Sequence, residues 1–194
     1  MIKILQQILM TYFEVATFKR SPLNTPSNRF VLGISFGLVL LANLCQILMV
    51  MLLTRGQMSI PVSEMMNFMG LMLLSTIAQI LFFALFVRLV LEYHRLTTYF
   101  YQFMICWLMM LFFIEVVPSV LLLFFKLLLM VRHLNFEGIS KALLVISVVL
   151  AFWKASFMVH LFRVVLDKTF LYAFLVCLVW FSMNALIFFA FKFT

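Results

Sequence analysis

Polar residues recur every three or four positions at the start of the chain, at Lys3, Gln6, Gln7, Thr11, Glu14 and Thr17. Ile4, Leu5, Ile8, Leu9, Tyr12, Phe13, Ala16 and Phe18 fill the other side. This period predicts an amphipathic helix over 2–18, too polar to cross a bilayer. Such a helix lies in the membrane interface, or packs as a cap on the rest of the molecule. The next stretch, KRSPLNTPSNR at 19–29, cannot continue it. Pro22 and Pro26 break the helix, and the loop holds the densest positive charge in the chain.

Beyond residue 29 the alternation gives way to long apolar runs. Crossing ~30 Å of hydrocarbon takes about 20 residues at 1.5 Å each. Five runs meet that length, over about 30–54, 65–87, 98–117, 141–162 and 170–191. Short polar links separate them: Arg55, Gly56, Pro61 and Glu64 in the first, Arg88, Glu92, His94 and Arg95 in the second, and Arg163, Asp167 and Lys168 in the last.

The stretch 98–131 is too long for one straight span, at roughly 50 Å. Pro118 offers a break, and Ser119, Lys126 and His133 then recur every seven residues. The pattern predicts a kink followed by an interfacial helix over 119–131. The alternative is two short spans turning at Glu115–Pro118.

Composition agrees with a membrane-embedded bundle. Hydrophobic residues make up 67% of the 194 positions, charged residues 10%, and mean hydropathy is +1.23. A soluble domain carries about 25% charged residues. The expected fold is an all-α polytopic transmembrane bundle of five spans preceded by the amphipathic helix. Residues 1–29 form the cytoplasmic entry, and 30–194 form one transmembrane domain. The net charge of +8 belongs to residues flanking spans, where it sets orientation, and not to a nucleic-acid surface. Lys3, Lys19, Arg20 and Arg29 outweigh Glu14 before the first span, while the next loop sets Arg55 against Glu64. That puts the N-terminus in the cytoplasm and, after five spans, the C-terminus outside. The membrane is expected to be a bacterial inner membrane, with a eukaryotic ER or Golgi membrane as the alternative.

Polar side chains inside spans are costly, so each is a candidate for function. Helix rise puts Asn43 and Gln46 about 20–25 Å from the cytoplasmic boundary, Asn184 near 22 Å and Glu115 near 27 Å. These four form the expected buried polar node in the outer half. Gln79 and Lys154 fall nearer 12–16 Å and pair with each other in the inner half. Depth therefore separates Glu115 from Lys154. The node is either interhelical glue or the lining of a substrate or proton path; Lys154 can also snorkel to the headgroups. Gly33 and Gly37 make a small-xxx-small face for close helix packing, within the chain or between chains.

Other residue types carry less chemistry. Cys45, Cys106 and Cys177 sit in apolar runs without metal or redox spacing. His94, His133 and His160 are scattered, Asp167 is the lone aspartate, and no hydrolase, zinc-protease or P-loop motif occurs. Trp107, Trp153 and Trp180 read as packing residues, and the five tyrosines as an aromatic belt near span ends. No enzyme activity, cofactor or metal is expected.

Two segments carry a family resemblance. FKRSPLNTPSNRF at 18–30 resembles the Phe-Arg-x-x-Pro-x-x-x-Pro-Ser entry of small Yip1-like proteins of bacterial inner membranes. VISVVLAFWKASFMVHLFRVV at 145–165 resembles the fourth span of the Yip1 domain, with its mid-helix Trp (Trp153) and a following basic residue. The resemblance implies a scaffold or membrane-organising protein whose partners are the lipid bilayer and another membrane protein or a second copy of the chain. A small transporter or channel using Glu115 and Lys154 is the alternative.

Overall fold

The computed structural model describes residues 2–25, 28–54, 62–131 and 136–192. Among the sequence features singled out above, Pro26, Arg55, Gly56, Pro61 and His133 lie outside the described residues. All regular structure among the described residues is helical. The α-helices are α1 (Ile2–Ala16), α2 (Arg29–Thr54), α3 (Val62–Tyr93), α4 (Phe100–Val131), α5 (Phe136–Leu166) and α6 (Phe170–Lys192). Four of them contain segments long and apolar enough to cross a membrane: Arg29–Met49, Met69–Tyr93, Thr97–Leu121 and Leu144–Leu166. The described apolar stretch of α6, Phe170–Ala185, is shorter.

Local chemistry fixes the helix ends. Asn28 accepts the Val31 N–H on its Oδ1 at 2.8 Å and so caps α2; Thr169 Oγ1 accepts from Tyr172 N–H at 3.4 Å at the start of α6. Three helices stop in the same way. Phe18, Arg95 and Asp167 adopt positive φ, and the next residue bonds back to the carbonyl five positions earlier. The three closures are Lys19 N to Glu14 O, Leu96 N to Leu91 O, and Lys168 N to Arg163 O.

α4 is the central helix. Every residue from Phe103 to Leu111 is buried, and α1, α2, α3 and α5 all pack against it. α2 shares the most extensive interface with it, and α6 packs on α5. Between α3, α4, α5 and α6 the core is a cluster of rings. Phe83 stacks on Trp107 at 3.9 Å between centroids and meets Trp180 edge-on at 4.8 Å, while Phe103 lies 4.7 Å from Phe162.

One expectation changes. The chain does not break at Pro118: α4 is one helix of 32 residues with the proline inside it, and 119–131 is its continuation, not a separate interfacial helix. Proline removes a single backbone N–H. At the next residue the hydroxyl of Ser119 donates to the carbonyl of Glu115 at 2.9 Å, adding a local bond where the ladder is weakest.

The first helix, α1, packs on the bundle. Tyr12, Val15 and Ala16 are fully buried. Phe13 packs edge-on against Phe113 at 5.6 Å, and the indole Nε1 of Trp153 donates to the carbonyl of Ala16 at 3.0 Å. Phe113 and Trp153 lie near the middles of the segments Thr97–Leu121 and Leu144–Leu166. The last turn of α1 therefore packs on α4 and α5, as the cap alternative has it. The link that follows folds back along the bundle. Phe18 packs on His160 and Phe157, and Gln102 Nε2 donates to the carbonyls of Leu23 and Thr25 at 3.1 and 3.4 Å.

Candidate functional site

Five of the polar residues singled out above come from four helices. Asn43 and Gln46 lie on α2, Glu115 on α4, Lys154 on α5 and Asn184 on α6, and all five are half-buried. Asn43 stands out: its Oδ1 is buried and has no hydrogen-bond partner. The Trp107 Nε1 is the other buried side-chain polar atom without one among the described residues.

Glu115 on α4 and Lys154 on α5 come to the same level. This corrects the separation by depth. The spans do not end at 117 and begin at 141, because α4 runs on to Val131 and α5 starts at Phe136. Measured from that shared end, Glu115 lies about 24 Å down α4 and Lys154 about 27 Å along α5. Two antiparallel helices of that length bring the groups level. Neither side chain makes a direct hydrogen bond or ion pair among the described residues.

The expected partners of Glu115 are not bonded to it. Asn43, Gln46 and Asn184 make no side-chain hydrogen bond to Glu115 among the described residues. Each helix presents its amide at the right level, but rotation about the helix axis decides contact, and depth arithmetic carries no rotation. Gln79 is exposed and does not pair with Lys154. Gly33 and Gly37 are exposed as well, and a Cβ at either would meet nothing within 4 Å. Their face is not used for packing inside the chain.

The best-connected polar group carries no motif in the sequence. Thr25, buried in the link after α1, donates to the carbonyl of Pro22 at 2.6 Å and lies 3.6 Å from the thiol of Cys106. Tyr12 shares a hydrogen bond with the same threonine. One hydroxyl thus joins α1, the link and α4. Only the repeat of two prolines around Thr25 marked the segment as unusual. At the α3–α6 contact, His94 Nε2 and the Tyr172 hydroxyl are 2.7 Å apart.

Chemically, the interior offers one carboxylate, one ammonium and one unsatisfied amide oxygen on α4, α5 and α2. The described residues include no group of three or more His, Cys, Asp or Glu that could hold a metal. No protein-family model matches the chain, and the curated proteins and solved structures compared with it give no match either.

Proposed function

We propose that this chain is a membrane scaffold or assembly protein of the Yip1-like type, acting through helix–helix and lipid contacts and not through catalysis. The observation that carries the reading is the contrast between a closed interior and open flanks. All of α4 from Phe103 to Leu111 is apolar and buried, and rings of Phe83, Trp107, Phe162 and Trp180 close around it. Large apolar side chains on α3, α5 and α6, such as Leu81, Phe152 and Leu175, stay uncovered. That division suits a protein whose product is a surface inside the bilayer.

On this reading α6, 23 residues long, is a fifth span of about 34 Å. The basic link before α2 holds the N-terminal side in the cytoplasm of a bacterial inner membrane, and the C-terminus faces out. A periplasmic reporter active at the C-terminus supports that arrangement; a cytoplasmic reporter active there contradicts it. Purification in mild detergent should retain a membrane protein in fixed proportion, or a second copy of the chain. Recovery as a lone monomer from cross-linked native membranes contradicts the reading.

A second reading rests on Glu115, Lys154 and the unpartnered Asn43 oxygen. A carboxylate and an ammonium at one level on facing helices can exchange or relay a proton. In that case reconstituted vesicles take up protons, and Glu115→Gln abolishes uptake without loss of fold. Under the scaffold reading the vesicles stay tight.

A further inference from the structure

A cleft of about 330 Å³ opens between the end of α3 and the start of α4, lined by Arg88, Leu91, Glu92, Thr97, Phe100 and Tyr101. It lies where the segments Met69–Tyr93 and Thr97–Leu121 meet, at their shared boundary. In a bilayer that boundary is the headgroup level.

Arg88 and Glu92 are one helical turn apart, at the spacing at which opposite charges pair. They do not pair here, and neither has another hydrogen-bonding or ionic partner among the described residues. Their order is the less favourable one, with the cation N-terminal to the anion. The cleft therefore holds one free guanidinium and one free carboxylate, beside the Thr97 hydroxyl and two aromatic rings.

Their arrangement has a direction. α3 leaves the membrane at Tyr93, so Arg88 lies on the hydrocarbon side and Glu92 about 6 Å nearer the water. Towards the hydrocarbon, the same helical face continues as Leu85, Leu81, Ala78 and Leu74, all exposed. The span that carries them is the least buried of the four. From the interior outwards, the stripe reads apolar track, cation, anion.

We infer that this cleft binds the headgroup of a zwitterionic phospholipid. The phosphate sits on Arg88 and the Thr97 hydroxyl, the ammonium sits on Glu92, and an acyl chain lies along Leu85 and Leu81. A phospholipid has the same order from the interior outwards: chain, phosphate, amine. The Arg fork suits a phosphate, and the rings of Phe100 and Tyr101 suit the face of a cation. An anionic lipid satisfies Arg88 but meets repulsion at Glu92. The site does not depend on whether the bundle scaffolds or transports.

The test uses the full chain in vesicles, with spin-labelled phosphatidylethanolamine, phosphatidylcholine and phosphatidylglycerol as probes of motionally restricted lipid. Phosphatidylethanolamine should be favoured over phosphatidylglycerol by about tenfold, the scale of one charge-assisted hydrogen bond, and phosphatidylcholine, whose ammonium carries no N–H, by less. Glu92→Gln should remove that preference, and Arg88→Gln should weaken all three probes. Both side chains are exposed, so neither change should shift the thermal unfolding of the bundle. Equal restriction of all three lipids overturns the inference, as does a preference that survives Glu92→Gln. Free phosphoethanolamine should not displace the lipid. Displacement at matched concentration overturns the lipid assignment and makes the cleft a site for a soluble zwitterion.

Discussion

The indole Nε1 of Trp153 donates a hydrogen bond to the backbone carbonyl of Ala16 at 3.0 Å. The bond joins residues 137 positions apart and explains how the first helix enters the bundle. Ala16 ends α1, where carbonyls lack helical partners. Its small side chain lets α5 approach closely enough for the indole to supply a donor. Tyr12, Val15 and Ala16 are buried there against protein, and the Ala16 carbonyl is satisfied by the indole.

Trp153→Phe keeps the ring and removes the donor. It should destabilise the bundle by about 1–2 kcal/mol, the cost of leaving a buried carbonyl unsatisfied. Equilibrium unfolding in mixed micelles measures this. No loss of stability means that α1 is not held at this point.

The ring cluster should dominate stability. Phe83 is fully buried and touches Trp107 and Trp180. Phe83→Ala should cost about 3–5 kcal/mol, the same measurement serving as the check. Phe83→Leu keeps most of the volume and should cost much less.

Much of this architecture is readable along the chain. The apolar runs correspond to α2 to α6, and Trp107, Trp153 and Trp180 do pack. The failures share a cause: a sequence gives position along a helix but neither its rotation nor its continuity. Pro118 reads as a break, yet a proline costs one bond and a long helix absorbs it. Shortening α4 at 117 then displaced Lys154 from Glu115. Gly33 and Gly37 read as a packing face within the chain or between chains, and rotation turns them away from the rest of this chain. Thr25 was invisible because its partners, Tyr12 and Cys106, come from separate apolar segments.

Glu115 and Lys154 should be coupled energetically. A double-mutant cycle with Glu115→Gln and Lys154→Met should give an interaction of about 0.5–1.5 kcal/mol. Strict additivity means that the two charges do not feel each other. Glu115→Gln alone should leave folding nearly intact.

Gly33→Ala and Gly37→Ala should be stabilising. The space around both is open, and alanine costs less backbone entropy in a helix, by roughly 0.5–1 kcal/mol per site. If a second chain seats on this face, the substitutions lower self-association while the monomer gains stability. Chemical denaturation and crosslinking of the same samples separate the two effects.

The proposed function requires that the uncovered helix faces meet protein in the membrane. Phe152, 72% exposed on α5, is the position to replace with a photoactivatable phenylalanine analogue, irradiated in intact membranes. The prediction is a discrete crosslinked band of fixed mass, containing a membrane protein or a second copy of the chain. The same probe at Leu108, buried in α4, should give only internal adducts. Lipid adducts alone at Phe152 would contradict the proposal that this bundle works by holding another protein in the bilayer.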